Sequence, residues 1–313
     1  SECHSQTSAE LTGQRWRGIL ELATAQTAQG VHKSLDHFVV LVRDVDAAAA
    51  CYERLGFHVR PVAEHADIGS RNRVVHFGHT YLEFIDLNGA REDVAGPYLD
   101  RFELGEGLVH VSLTSERLED DREWLGEAGM QPWPILSARR EITLPDGAKA
   151  ETASRCFYLW RDDNRYLSLF FSDHPKPETI FIPEYVDHAN GAREISRCVY
   201  MSTTLAADRE YFSRCFRTRP EVDERDRLAW RGLRGDLTEV LSVDAARARY
   251  GDLLAAAAPD PFAGVGIALH YKVDQPETCR ALLDDSGVAF RALERGALAV
   301  AASEAVGVVA VFE

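Results

Sequence analysis

Two histidines and one glutamate carry the first chemical signal in the chain. His37 sits in the β-rich run LDHFVVLV (35–42), and His110 takes the corresponding place in GLVHVSLT (107–114). Glu83 is the third residue of the apolar run YLEFIDL (81–87). Two neutral imidazoles and a carboxylate form a ligand set for Zn²⁺, Fe²⁺, Mn²⁺, Ni²⁺ or Co²⁺, and they leave coordination positions open for water or substrate. A single strand histidine is more often a packing residue than a ligand. Here two of them fall in register, and a carboxylate buried among apolar neighbours requires a compensating charge. The reading therefore assigns His37, Glu83 and His110 to a metal site.

The elements that must position these residues recur along the chain. LDHFVVLV is followed by a helical stretch, DVDAAAACYERLGF (44–57), with Asp44 or Asp46 as N-cap and Gly56 near the C-cap. Three short strands are expected next, HVRPV (58–62), NRVVHF (72–77) and YLEFIDL, the last two joined by the turn GHT. The same β-α-β-β-β order returns with GLVHVSLT, the helix 116–129, and strands at MQPWPIL, CFYLW (156–160) and RYLSLFF (165–171), with a turn at 162–164. Gly56 follows His37 by 19 residues and Gly129 follows His110 by 19. A third copy starts at EISRCVYMS (194–202) and a fourth at VGIALHYKV (265–273). If paired units lie face to face, their first and last strands meet at the centre of one curved sheet and His37, Glu83 and His110 point into one cup.

With these elements in place the chain resembles the vicinal oxygen chelate superfamily, which includes glyoxalase, bleomycin-resistance and extradiol-dioxygenase relatives. The resemblance spans 34–313 and is most specific at LDHFVVLVRDVDAAAACYERLGF, YLEF and GLVHVSL. It implies an α+β fold of four βαβββ modules paired into two cup-shaped mixed sheets, with a divalent metal held by the first and last strands of the modules. Carried over residue by residue, it falls on the same His37, Glu83 and His110. The fourth family position, a glutamate in glyoxalases, aligns with Ser168 in DNRYLSL (163–169). That departure weakens a strict glyoxalase assignment and leaves a two-histidine, one-carboxylate set.

The expected organisation is an N-terminal helical extension (1–33, with an amphipathic helix over 8–28), a first domain (34–172), a linker (173–193) and a second domain (194–313). In the second domain the corresponding residues are Arg197, Glu239 and His270. A guanidinium does not ligate metals, so this half is read as metal-free, with Arg197 and Glu239 as an ion pair or Arg197 as a carboxylate site.

The expected function is a metal-dependent enzyme acting on a small oxygenated metabolite by chelation and proton transfer, as a lyase, isomerase or glyoxalase-like enzyme. Ring-cleaving dioxygenation and non-catalytic drug or metabolite binding are the alternatives. Glu83, His76 and Tyr166 are the candidate proton-handling residues, and Tyr158, Ser168 and Phe170 the candidate substrate contacts. Phe157, Trp160 and Phe171 complete the expected pocket wall.

Composition narrows the partners. The 313 residues carry 35 Lys plus Arg against 50 Asp plus Glu, a formal charge of −15. That balance excludes nucleic-acid and anionic-membrane surfaces as the natural partner, since both are bound through surplus basic charge. No apolar stretch reaches the roughly 20 residues of a membrane-spanning helix, and the polar start SECHSQTSAE is unlike a secretory signal. The six cysteines form no CxxC pair. The reading is a cytoplasmic protein with a small-molecule substrate, and a second copy of the chain as candidate partner.

Overall fold

The computed structural model describes residues 33–65, 69–92, 98, 101–102, 105–161, 168–254 and 265–313. The expected helix at 8–28, the turn at 162–164 and Tyr166 lie outside them.

Four βαβββ modules follow one another. The first comprises β1 (Leu35–Leu41), α1 (Val45–Arg54), β2 (Ala63–His65), β3 (Ser70–His76) and β4 (Tyr81–Asp86). The second comprises β5 (Gly107–Thr114), α2 (Leu118–Glu127), β6 (Leu136–Thr143), β7 (Lys149–Leu159) and β8 (Leu169–Asp173). The third contains β9 (Ala192–Ser202), α3 (Leu205–Phe216), β10 (Val222–Asp223), β11 (Arg227–Arg231) and β12 (Leu237–Ser242). An inserted helix, α4 (Val243–Tyr250), precedes the fourth: β13 (Val265–Val273), α5 (Pro276–Asp285), β14 (Phe290–Ala292), β15 (Leu298–Val300) and β16 (Val309–Phe312). Modules pair into two eight-stranded mixed sheets, β2-β3-β4-β1-β5-β8-β7-β6 and β10-β11-β12-β9-β13-β16-β15-β14. This is the expected α+β architecture.

Local chemistry explains the repeating unit. Asp44 caps α1 by accepting from the Asp46 amide at 2.8 Å. Gly56, at φ +85°, ends it in the left-handed conformation, and the Phe57 amide returns to the Tyr52 carbonyl at 3.0 Å. Strand β1 is buried at every residue. Phe38, Val40 and Val42 join Tyr52 and Phe84 in the core under the helices, while Val39 and Leu41 face the opposite side with His37. Fully burying a side chain such as Phe38 stabilises the fold by about 1.5–3 kcal/mol.

Two expected strands move. Residues 58–62 are not a strand, and β2 begins at Ala63. In the second module the strand starts at Leu136, because Pro132 and Pro134 lack the amide hydrogens that a ladder needs.

The two sheets share one core. Arg161 Nη1 donates to Asp208 Oδ1 at 2.8 Å, both side chains being buried. The Tyr211 hydroxyl donates to the Leu159 carbonyl (2.9 Å) and accepts from the Leu169 amide (2.8 Å). Gly266 packs so closely on the first half that a Cβ there would come within 2.3 Å of Leu108 Cδ2. Residues 173–193 act as a strap, with Asn190 Nδ2 donating to the Leu55 carbonyl at 2.8 Å. The five described cysteines are free. Among the described residues no helix is long and apolar enough to cross a membrane.

Candidate metal centre

Strand register decides which side chains share the cup. In parallel pairing β1 sets His37 beside Tyr81 and Val39 beside Glu83. In antiparallel pairing Val39 faces His110 on β5. Directly paired residues point to the same face. Glu83, Val39 and His110 therefore form one row, with His37 two residues along the central strand on that same face. On the other side of β4, β3 adds His76 beside Tyr81 and Val74 beside Glu83.

The His37 ring is held from three directions. It stacks on Tyr81 with ring centroids 4.3 Å apart and planes 9° from parallel, and Phe170 meets it edge-on at 4.8 Å. Its Nδ1 lies 2.5 Å from Asp36 Oδ1, and the same oxygen is 2.9 Å from His174 Nε2. A carboxylate oxygen between two imidazole nitrogens accepts a hydrogen bond from each. Burial opposes ionisation of Asp36, yet His174 and His37 hold its carboxyl well below the usual range. Against its own burial, His174 is pushed up by Asp36. This arrangement engages Nδ1 of His37 with a carboxylate, the carboxylate–histidine support that metal-binding imidazoles use.

Asp36, His37 and His174 are also the one group of three or more His, Cys, Asp or Glu among the described residues whose ligand atoms lie within 4.8 Å of one another. Their spacing favours a hydrogen-bonded relay over a chelate. Ligands about 2.1 Å from a tetrahedral ion stand about 3.4 Å apart, whereas His37 Nδ1 and Asp36 Oδ1 are 2.5 Å apart. Sequence reasoning passed over both partners. Asp36 adjoins His37 in the chain, a signal within reach, but His174 comes from the segment read as linker.

His110 and Glu83 stand outside that group. His110 Nε2 is 2.7 Å from the Tyr98 hydroxyl, while its Nδ1 is buried with no hydrogen-bond partner. Burial lowers the pKa of His110 to about 4, so the ring is neutral and its nitrogens can act as ligands. Glu83 Oε1 accepts from Asn72 Nδ2 at 2.6 Å, and Asn72 Oδ1 accepts from Arg140 Nη1 at 3.4 Å. Two imidazoles and a carboxylate on one face are a donor set of the kind that binds a divalent cation, although their ligand atoms do not all lie within 4.8 Å of one another.

The remaining candidates are placed as follows. His76 lies on the cup face with Nδ1 buried and unpartnered, and burial, reinforced by Arg60 and Arg140, lowers its pKa to about 3. Tyr158 stacks on Phe170 at 5.0 Å and meets His110 edge-on at 5.4 Å. Trp160 lies 5.1 Å from the His110 ring, and the half-exposed Trp133 is 6.2 Å from Tyr158. Phe157 and Phe171 do not line the cup. They stack on each other at 4.9 Å in the core beneath the helices, because strand alternation turns them away from Tyr158 and Phe170.

Ser168 is buried, and its Oγ accepts from the Arg161 amide at 2.8 Å. It is not the counterpart of Glu83. Val39, two residues after His37, pairs with Glu83, and Ser112, two residues after His110, pairs with Phe170. The apolar Phe170 thus stands where a fourth ligand would be, and the alignment on Ser168 is two residues out.

Two cups of paired βαβββ modules, the first with two histidines and a carboxylate on its inner face, define a vicinal oxygen chelate protein. Residues 35–216 match the family of glyoxalase-like domains, and the chain belongs to that family. A search of curated proteins found no match. Among solved structures, a hypothetical protein from Staphylococcus aureus is similar with a TM-score of 0.60 at 10% identity, over 89% of this chain and 98% of that one. A variant of 4-hydroxymandelate synthase from Streptomyces coelicolor aligns at 0.53 and 15% identity, over 83% and 76% of the two chains. A xylose isomerase-like TIM barrel/4-hydroxyphenylpyruvate dioxygenase fusion protein aligns at 0.54 and 11% identity, over 90% of this chain and 48% of that one. At these identities the likeness is one of fold.

Proposed function

We propose that the first cup is the active site of a divalent-metal-dependent enzyme acting on a small oxygenated organic molecule by chelation and proton transfer, in the manner of the superfamily's lyases, isomerases and glyoxalases. One observation carries this reading: His37, Glu83 and His110 share a face of three adjacent strands, with His37 oriented by Asp36. When bound, the ion supplies Lewis acidity toward the substrate's oxygens.

The chain's own residues do the rest. Asp36 holds His37 through Nδ1, which leaves Nε2 as the ring nitrogen to bind the ion. Asn72 fixes Glu83 through Oε1, which makes Glu83 the carboxylate placed to hold and move a proton. His76, neutral at pH 7 with its pKa at about 3, is an acceptor of hydrogen bonds and a weak base. Burial raises Tyr158 well above the ordinary phenol value, so it keeps its proton and serves as a hydrogen-bond donor. Tyr158, Trp160 and Phe170 offer flat apolar faces that exclude water and suit a planar or aromatic substrate. Tyr166 and Ser168 complete the proposed set, as proton carrier and substrate contact.

A second reading rests on Phe170. With no carboxylate at the place symmetric with Glu83, the set is the two-histidine, one-carboxylate triad used by oxygenases with Fe²⁺, and one structural neighbour bears a dioxygenase name. Metal-reconstituted protein offered α-hydroxycarbonyl compounds in ²H₂O separates the two. Deuterium incorporation without O₂ consumption supports proton transfer. Fe²⁺-dependent O₂ uptake with aromatic oxo-acids or catechols replaces it with oxygenation.

A further inference from the structure

The second cup has kept the frame of the first and changed its charge. Arg197 takes the place of His37, and Val199 pairs with Glu239 as Val39 pairs with Glu83. Val199 faces Ala268 where Val39 faces His110, so the expected match of His270 to His110 is two residues out and His270 instead faces Arg197 across β9 and β13. Helix α4 fills the floor: Ala246 and Tyr250 pack with Val199, Leu241, Ala268 and Val311. The Tyr250 hydroxyl lies 3.0 Å from His270 Nε2, and His270 Nδ1 lies 2.9 Å from Glu313 Oε2.

What remains open is a fringe of guanidinium groups. Arg249 holds Glu239 with two N–H donors, at 2.6 and 3.2 Å, and Arg227 Nε donates to Glu239 Oε1. Arg197 approaches the same carboxylate only to 3.7 Å, and its Nε is buried with no hydrogen-bond partner. Glu239 is 1% exposed, whereas the side chains of Arg197, Arg227 and Arg249 are 25%, 32% and 31% exposed. The carboxylate is therefore at the bottom and the three cations reach solvent above it. Each guanidinium carries five donors in a rigid fork, and one glutamate accepts from only a few of them. Glu313, the other acid near this group, is already engaged by His270 and by Ser196 Oγ at 2.8 Å. Even with Glu313 counted, positive charge exceeds negative here, on a chain whose formal charge is −15.

We infer that the second cup binds a small oxyanion, a carboxylate or phosphate group, with Arg197 as its principal contact and Arg227 and Arg249 beside it. The forks of adjacent arginines suit bidentate recognition of such groups. An ion network with a purely structural role would stabilise the protein without responding to solute anions. This site is independent of the metal chemistry proposed for the first cup.

The test is calorimetric titration of EDTA-treated full-length protein with inorganic phosphate and, separately, malonate, against sodium chloride at matched ionic strength. The expected result is saturable binding of one anion per chain, a rise in unfolding temperature that follows occupancy, and at least tenfold weaker binding in Arg197→Gln. Binding equal to the chloride control, or undiminished in Arg197→Gln, overturns the proposal. Should that variant fail to fold, phenylglyoxal modification of the wild-type chain gives the same decision. Phosphate must slow modification of Arg197, and an unchanged rate contradicts the site. Comparing phosphate with malonate identifies which oxyanion is preferred.

Discussion

The Tyr98 hydroxyl lies 2.7 Å from His110 Nε2. The second half repeats the contact at a shifted position, with the Tyr250 hydroxyl 3.0 Å from Nε2 of His270, which stands two residues beyond Ala268, the register counterpart of His110. Each tyrosine belongs to the segment joining the last strand of one module to the first strand of the next. In the second half that segment forms a helix over the cup floor. In the first half the tyrosine covers a nitrogen that the metal reading needs.

Tyr98 should therefore compete with the metal. Tyr98→Phe is expected to tighten divalent-cation binding by about two- to tenfold, the worth of one net hydrogen bond. Titration with Co²⁺ or Mn²⁺ measures it, and weaker binding would instead make the phenol a ligand. Tyr250→Phe should leave that affinity unchanged and cost about 1–3 kcal/mol of stability by leaving a buried imidazole nitrogen unpaired.

Asp36 supports His37 without being placed as a ligand. Asp36→Ala deprives His37 Nδ1 and His174 Nε2 of their common acceptor. Metal affinity is expected to fall about 10- to 100-fold, and the imidazole ¹⁵N spectrum of His37 should lose its single tautomer. An unaltered affinity would mean that the relay does not serve the metal.

Acid sensitivity has a defined sign. Burial lowers the pKa of His188 to about 4 in the fold, where its Nδ1 accepts from the His58 amide at 3.0 Å and its Nε2 donates to the His76 carbonyl at 2.9 Å. In the unfolded chain the ring takes up a proton near pH 6.5. Between these values the unfolded state binds more protons, so stability is complete above about pH 6.5 and declines toward pH 4. The contribution of His188 is at most about 3 kcal/mol. Denaturant unfolding of wild type and His188→Gln at pH 7.5 and 4.5 reads it out, the variant being expected to show the shallower pH dependence.

The Arg161–Asp208 pair joins the two sheets from buried positions. Asp208→Ala leaves a buried guanidinium without that partner and should cost about 3–5 kcal/mol. Thermal unfolding measures the loss, and a shift corresponding to less than about 1 kcal/mol would show that the pair does not couple the halves.

Much of this was readable before any coordinates. Period-two burial and the helix-ending glycines revealed four modules, and matched register singled out His37, Glu83 and His110. What stayed hidden has physical causes. Ser168 and Phe170 lie on the same strand face, so alternation cannot choose between them, and only the pairing of Ser112 with Phe170 does. His174 reaches Asp36 across 138 residues from a proline-rich connection, with no local periodicity to mark it. Phe157 and Phe171 look like pocket residues by type, yet the side-chain alternation of their strands sends them into the core. The plugging of the second cup by α4 follows from packing that its small apolar residues barely announce.

The proposed chemistry requires one cation gripped by His37, Glu83 and His110. A crystal grown with Mn²⁺ and measured at the manganese absorption edge tests it most directly. One anomalous peak is expected in the first cup, about 2.0–2.3 Å from an imidazole nitrogen of each histidine and a Glu83 oxygen, and no peak in a His37→Ala, His110→Ala double variant. No peak in the wild-type cup, or a peak coordinated by Asp36 and His174 instead, would contradict it.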